Sequence, residues 1–398
     1  MTGQQKNQTI KVLHIGKDHS VFDSRIFQKE CVSLAEAGYS VSYLTSDAVL
    51  SFEGEKNGIC LRTLSGVKNP YRIRQIFSRL RYQRKIKKRY LEEILEGKPD
   101  IVHIHEQYLG FLVKKLRKYA IRVIYDIHED NAGDARTYYK KMGTPVSLWM
   151  FQRKKRQERR IVKAADGVIT ATDRIAELLM PGLKKKKWEV IYNYPIPEEE
   201  VPLPPKDMDS DYVCYTGTMG YTRKLEKTFE ALAWLKKDIR ILMIGNIEPW
   251  YREKLETIYP NVEFRGYLSK EEIRTLHRGA FAGMCVLANT PSIYYSLPIK
   301  MFEYMRDGIP VVASDFPIWR SIIEKNHCGI CVPDDDVQAI GEAIDYLYTH
   351  QDIGKQMGEA GRASAMEKYN WKREGQKLIA FYHRIEKVGV GNEFEFEK

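Results

Sequence analysis

The 398-residue chain carries 64 Lys and Arg against 53 Asp and Glu, is 43% hydrophobic and 29% charged, and holds 27 Gly and 16 Pro. That makeup excludes disordered, collagen-like and low-complexity chains, and the length suits two domains of roughly 150 to 200 residues better than one core. The net charge of +11 is uneven, since residues 1–200 hold 38 Lys and Arg against 24 Asp and Glu and residues 201–398 hold 26 against 29.

In chain order, KVLHIG (11–16), a helical stretch at 23–38 and YSVSYLT (39–45) open an alternation of short β-branched runs with amphipathic helices. Strands are predicted at 100–106, 122–129, 167–172 and 188–193, with helices at about 71–96, 108–118 and 145–164. After a Pro-rich, acidic stretch at 193–210 the pattern restarts with strands at 212–217, 241–245, 262–266, 282–288, 310–314 and 329–332. Helices at 336–348, 352–367 and 371–387 end the chain. This is the pattern of parallel α/β sheets. It predicts two doubly wound Rossmann-like domains facing a cleft: 1–195, a linker at 196–210, 211–370, and a final segment 371–398. The opening MTGQQKNQTI has no apolar leader, and the six cysteines lie mostly in apolar runs and read as buried thiols, so a cytoplasmic location is expected. The uncharged stretch 281–299 is broken by Asn289, Thr290, Pro291 and Ser292, which argues against a membrane span.

Neither a dinucleotide fingerprint nor a phosphate-loop pattern follows any strand, which speaks against NAD chemistry and NTP hydrolysis. After the first strand of the second half come Gly217, Gly220, Arg223 and Lys224, two glycines for a tight turn and two cations near a helix start, fit for a diphosphate or for an ordinary solvated turn. In SIYYSLPIKMFEYMRDGIPVVAS (292–314), Pro298 suits a first helical turn, and Lys300 and Glu303 share one helix face, where a carboxylate can accept both hydroxyls of a ribose. His14, His19, His103, His105 and His128 cluster in the first half; a zinc site is the sharp reading and neutral imidazoles bonded to nearby acids the plainer one. Asp207, Asp209 and Asp211 alternate as Mg²⁺ ligands can, but lie before a strand and read as linker. Cys328 and Cys331 read as small buried side chains. Basic runs at 68–89, 153–163 and 184–187 point to an anionic surface. Membrane contact is expected through Arg79, Arg81, Arg84, Lys85, Lys184, Lys185 and Trp188.

Taken together, DSRIFQKECVSLAEAGYSVSYLT, YDIHED, RRIVKAADGVITATDRI with VIYNYP, and LPIKMFEYMRDGIPVVASDFPIWRSII with CGICVPDDD resemble the GT-B glycosyltransferases of the retaining family GT4, over nearly the whole length. The resemblance implies a nucleotide-sugar donor on the second domain, an acceptor on the first, transfer in the cleft with retention of anomeric configuration, no metal or other cofactor, and a terminal helix crossing back to the first domain. Glu303 matches the second Glu of the family's E-x7-E motif and would hold the ribose. The first Glu falls on Tyr295, so the sugar contact would pass to backbone N–H groups around Tyr295, Ser296 and Leu297. Lys224 matches the diphosphate-gripping cation, whereas its usual Arg partner is Thr218, with Arg223 or Lys300 to supply the charge. Gly16, His128 and Tyr267 match the phosphate-side loop, the histidine at the reaction centre and the base contact. The expected partners are a UDP-sugar or GDP-sugar, a saccharide acceptor on a polyprenyl lipid and an anionic membrane surface at the inner face of the plasma membrane, not nucleic acid. The expected activity is a hexosyl or N-acetylhexosaminyl transfer in bacterial surface polysaccharide synthesis. A nucleotide-sugar epimerase of the same fold and a nucleic-acid-binding protein are the alternatives.

Overall fold

A computed structural model of the chain describes residues 9–17, 19–46, 51–64, 76–197 and 210–387. Asp207, Asp209 and the part of the basic run before residue 76 lie outside the described residues, as do the side chains of Arg79 and Arg81. Two compact units emerge: Met1–Asn193 with Glu374–Lys398, and Tyr194–Arg373.

In the first unit the strands are β1 (Lys11–Lys17), β2 (Ser40–Ser46), β3 (Glu53–Lys56), β4 (Ile59–Thr63), β5 (Ile101–Ile104), β6 (Arg122–Ile127), β7 (Gly167–Thr170) and β8 (Trp188–Val190). They form one sheet in the order β3-β4-β2-β1-β5-β6-β7-β8, parallel except for β3 against β4. Hydropathy runs alone predict no strand between residues 46 and 71, yet a hairpin turns there at Asn57-Gly58, a pair suited to tight hairpins. Strands buried on both faces carry the near-continuous apolar runs expected of parallel sheets. Leu13, Ile15, Val102, Ile104, Val123 and Tyr125 pack with Ile86, Tyr90 and Ile94 of the helix Ile76–Gly97 in one core. That spacing of four places the stripe of the basic helix inward and leaves Arg84, Lys85 and Lys88 exposed. The last helix, Trp371–Glu386, starts in the second unit and from Glu374 onward belongs to the first, where Phe381 and Ile385 close over Gly167.

The second unit is a six-stranded, all-parallel sheet built from β9 (Tyr212–Thr216), β10 (Arg240–Ile244), β11 (Val262–Gly266), β12 (Ala282–Cys285), β13 (Val311–Ser314) and β14 (Gly329–Val332), in the order β11-β10-β9-β12-β13-β14. Its crossover helices start where local chemistry says they should. Pro249 and Pro317 each open one, and Ser269 exchanges hydrogen bonds with Glu272 at the head of Lys270–Gly279. All six cysteines are free thiols; Cys60 on β4 is exposed, which corrects the expectation that the thiols are buried.

Candidate active site

The order of the second sheet reverses between β9 and β12, and ligands of doubly wound sheets bind at the carboxyl ends of the strands flanking such a reversal. Gly217 follows β9 directly at φ +114 and donates its N–H to the Ile244 carbonyl at 2.8 Å. Gly245, at φ +135, approaches so closely that a Cβ would lie 2.3 Å from the Gly217 carbonyl oxygen. Gly245 N–H in turn donates to Gly266, the residue before Tyr267, at 2.8 Å. Tyr267 is 82% exposed, so it fills no core. Past Gly217 a single turn, Tyr221–Arg223, leads to Lys224, exposed and left-handed at φ +51. The β12 loop is tied in through Ala288 N–H, which donates to the Arg223 carbonyl at 3.1 Å.

Beneath this loop lies Lys300, in the first turn of the helix Ile299–Asp307. Its ammonium is buried, 3.4 Å from the centroid of the Tyr215 ring and 3.5 Å from the Cβ that Gly217 lacks. Burial drives its pKa down to about 7, Arg223 adds to the fall, and Cys285 and Glu303 oppose it. Half-buried Glu303 sits three residues on. The first N–H groups of a helix have no carbonyl a turn earlier, and the dipole is positive there. Loop, helix start and Lys300 thus meet at the carboxyl end of β9, an arrangement able to receive an anion, with Glu303 on the same helix. The loop is held from behind. The Thr216 hydroxyl bonds to His277 Nε2 at 2.6 Å, His277 Nδ1 donates to Asp307 at 2.7 Å, and Thr216 N–H donates to the Tyr304 hydroxyl at 2.9 Å. Burial works against ionisation of Asp307, but His277 and Arg306 hold its carboxyl below the usual range. Sequence reasoning missed this brace, whose members are separated by 61 and 30 residues.

In the first sheet the reversal falls between β1 and β5. A Cβ on Gly16 would lie 2.9 Å from the Tyr43 hydroxyl, and the Gly16 carbonyl accepts from the Tyr90 hydroxyl at 2.5 Å. Glu106, just past β5, accepts Lys17 N–H at 2.7 Å and pairs with His19 Nε2 at 2.9 Å. Burial alone would lower the pKa of His19, but hydrogen bonds to Asp23 and Glu106 outweigh it and push the imidazole up to about 10. His128, at the end of β6, donates from Nε2 to Asp126 at 2.9 Å, which leaves Nδ1 to accept. Asp126 is gripped in turn by the Arg25 guanidinium at 3.0 Å, and although burial opposes it, Arg25 and His128 hold its carboxyl well below the usual range. The rings of His19 and His128 lie 5.8 Å apart, so a cationic imidazole stands beside the predicted catalytic one. His19 was legible only as a histidine in the β1 loop. His14, His103 and His105 are buried side by side; burial keeps the first two well below the ordinary range and brings His105 to about 4, so all three are neutral.

Two expectations need correction. The N–H groups of Tyr295 and Ser296 both donate to the Ile293 carbonyl, closing the short helix Pro291–Tyr294, so they are spent. Of the three predicted positions Leu297, next to the helix start, remains. Trp188 packs against the first core with Lys185 Nζ 3.6 Å over its ring, and Lys184 is half-buried, so this segment is a poor membrane anchor. The exposed apolar side chains lie elsewhere: Tyr138, Met142, Leu148 and Trp149 are 48–76% exposed, with the Arg153 guanidinium 5.4 Å over Trp149. Asp211, the described member of the aspartate alternation, forms a two-point ion pair with Arg240.

Two family models match the chain: Glycosyltransferase Family 4 over residues 28–194 and Glycosyl transferases group 1 over residues 198–364. The chain is 23% identical over 273 residues to an alpha-maltose-1-phosphate synthase of Mycolicibacterium smegmatis, a match covering 61% of this chain and 67% of that protein. It is 27% identical over 126 residues to a phosphatidyl-myo-inositol mannosyltransferase of Mycobacterium leprae, covering 30% of this chain and 33% of the relative. Among solved structures, a sucrose-phosphate synthase from Thermosynechococcus elongatus superposes with a TM-score of 0.75 at 17% identity, over 94% of this chain and 99% of the other. Both sheets, their reversals and the two matching models lead to one assignment: the chain is a glycosyltransferase of the GT-B fold and belongs to family GT4.

Proposed function

We propose that this glycosyltransferase binds a UDP-sugar or GDP-sugar on its second unit and transfers the sugar, with retention of configuration, to a saccharide acceptor carried on a polyprenyl lipid, as one step in bacterial surface polysaccharide assembly. The observation that supports the donor half is the buried Lys300 ammonium beneath Gly217 at the helix start; on this reading exposed Lys224 grips the diphosphate and Glu303 holds the ribose. Departure of the nucleoside diphosphate builds negative charge on its phosphates and positive charge on the sugar. Cations and N–H groups fixed beforehand meet the first of these and lower the barrier. They supply the charge that a divalent ion supplies in other transferases, so we assign the transfer step no metal requirement. We place the acceptor side on the first unit, where His128, oriented by Asp126, offers Nδ1 to a hydroxyl. Tyr295 in place of a carboxylate fits a mechanism in which the departing phosphate itself helps to take the acceptor proton.

Support for a lipid-borne acceptor comes from the surface: exposed Tyr138 and Trp149, with Arg153 over the Trp149 ring and Lys155 over that of Phe151, and the basic outer face of Ile76–Gly97 suit an anionic bilayer. No helix among the described residues is long and apolar enough to cross a membrane.

The first test is thermal stabilisation by UDP, GDP, TDP and ADP, with EDTA present and absent. A ligand at 100 times its dissociation constant adds about 2.7 kcal/mol. Stabilisation by UDP or GDP that Glu303→Ala removes and EDTA leaves intact supports the reading. A flat response to all four diphosphates overturns the donor assignment, and an inverted anomeric proton coupling in the product overturns retention.

A further inference from the structure

We propose that His14, Glu30, His103 and His105 hold a buried divalent transition-metal ion, zinc by ligand type, that braces the first unit. His14 lies on β1, His103 on β5 with His105 just past its end, and Glu30 in the helical turn Ile26–Cys31. None is more than 3% exposed, and each offers one ligand atom within 4.8 Å of the others. His14 Nδ1 and His105 Nε2 stand 3.0 Å apart, and Glu30 Oε2 is 4.0 Å from the same His105 nitrogen. A tetrahedral ion with bonds of about 2.0–2.2 Å keeps its ligand atoms roughly 3.3 Å from one another, so small shifts complete the site.

The cluster carries its own sign of a missing partner. Among the described residues, His103 Nε2 and both carboxylate oxygens of Glu30 are buried with no hydrogen-bond partner. Folded proteins leave few buried polar atoms in that state, and an ion is one of the standard explanations. Arg25 Nε lies 3.0 Å from Glu30 Oε1 but out of hydrogen-bonding alignment, its bonds going to Asp126 and to the Ile191 carbonyl. One guanidinium thus faces two buried carboxylates, and burial together with the charge on Asp126 holds the Glu30 carboxyl well above its usual range, so an ion would bind there in exchange for the Glu30 proton.

The outer contacts have the form that metal-bound histidines use. His103 Nδ1 lies 2.8 Å from the Tyr382 hydroxyl, and His105 Nδ1 lies 3.3 Å from His128 Nε2 and 3.7 Å from Asp126; with the proton on each Nδ1, a lone pair is left on each Nε2. Imidazoles with one carboxylate suit zinc and its neighbours in the first transition row, whereas Mg²⁺ and Ca²⁺ favour sites built of oxygen. The ion joins β1, β5 and the turn Ile26–Cys31, and its ligand His14 lies two residues before Gly16. It takes no part in the transfer step, and the assignment stands whether or not the donor reading does.

The decisive measurement is metal content by inductively coupled plasma mass spectrometry on full-length protein purified without a histidine tag from zinc-supplemented cells, then dialysed against EDTA. About one equivalent of zinc per folded chain is expected, falling below about a tenth in His103→Leu and Glu30→Gln and retained in the surface control His327→Ala. Cobalt-grown wild type should show the visible d–d bands of a four-coordinate ion, a readout that does not depend on a variant folding. Folded wild type with less than about a tenth of an equivalent of any transition metal, as expected if water satisfies these atoms, overturns the proposal. So does stoichiometric metal that survives both substitutions.

Discussion

Replacing Lys300 with Met should stabilise the nucleotide-free protein and abolish its response to nucleoside diphosphates. A buried lysine whose pKa falls from 10.5 to about 7 prefers its neutral form by on the order of 5 kcal/mol. The sign follows from proton counting. Between pH 7 and 10.5 the unfolded chain binds a proton here that the folded chain does not, so this group makes stability rise with pH across that window. Its cost is fully present below pH 7 and fades as pH climbs toward 10.5. Lys300→Met removes the cost together with the contact to the Tyr215 ring, an attraction of roughly 0.5 to 2 kcal/mol. The variant should therefore gain a few kcal/mol at pH 6.5 and clearly less at pH 9, measured by urea unfolding without nucleotide. A bound diphosphate restores the charge, so binding above pH 7.5 should take up a fraction of a proton, readable by titration calorimetry in buffers of different ionisation enthalpy. Parallel pH–stability curves for wild type and variant, or proton-neutral binding at pH 8, would refute the reasoning.

Gly245→Ala sets a Cβ 2.3 Å from the Gly217 carbonyl oxygen at a φ that L residues avoid; diphosphate affinity should drop at least tenfold while far-UV circular dichroism stays native. His19 owes its charge to Glu106 and Asp23, so its contribution is complete below 6.5 and is lost as pH rises through about 10; His19→Gln should flatten that limb of the stability curve, and an unchanged limb counts against it. Asp126→Asn takes from the buried Arg25 guanidinium the better aligned of its two carboxylates and leaves Glu30 Oε1 at 3.0 Å, which should cost about 1.5–3 kcal/mol in chemical denaturation. Trp149→Ser with Leu148→Ser should weaken cosedimentation with phosphatidylglycerol vesicles several-fold, whereas Trp188→Phe should not. The reverse ranking would return the membrane contact to the segment at 184–188.

What the sequence disclosed and what it hid divide along physical lines. Strand runs such as KVLHIG and RVIYDIHE are apolar because both faces of a parallel sheet are covered, so alternation with helices announced two doubly wound sheets. The candidate residues Gly217 and Lys224, and likewise Lys300 and Glu303, could be picked out because each pair lies within a few residues in one loop or helix at the end of a strand. The brace Thr216–His277–Asp307 was not, since burial and hydrogen bonds assembled it from three elements with no shared local pattern. For helix Thr144–Ala164 the sequence pattern predicts 145–164 and assigns no side to its apolar residues. Of its 21 residues only Ser147, Glu158, Ile161, Val162 and Ala164 are buried, so the apolar run around Leu148 and Trp149 faces outward. Trp188 shows the converse, a tryptophan beside four lysines that reads as a membrane anchor and packs inward. Composition thus identifies an interfacial segment, while the side of the element that carries it is settled by what else can cover the sheet. Here Ile86, Tyr90 and Ile94 already cover β1 and β5, and Tyr90 reaches the Gly16 carbonyl. The basic helix Ile76–Gly97 therefore supports Gly16 from within, while Leu148 and Trp149, exposed on the equally cationic helix Thr144–Ala164, are left for the surface contact proposed above.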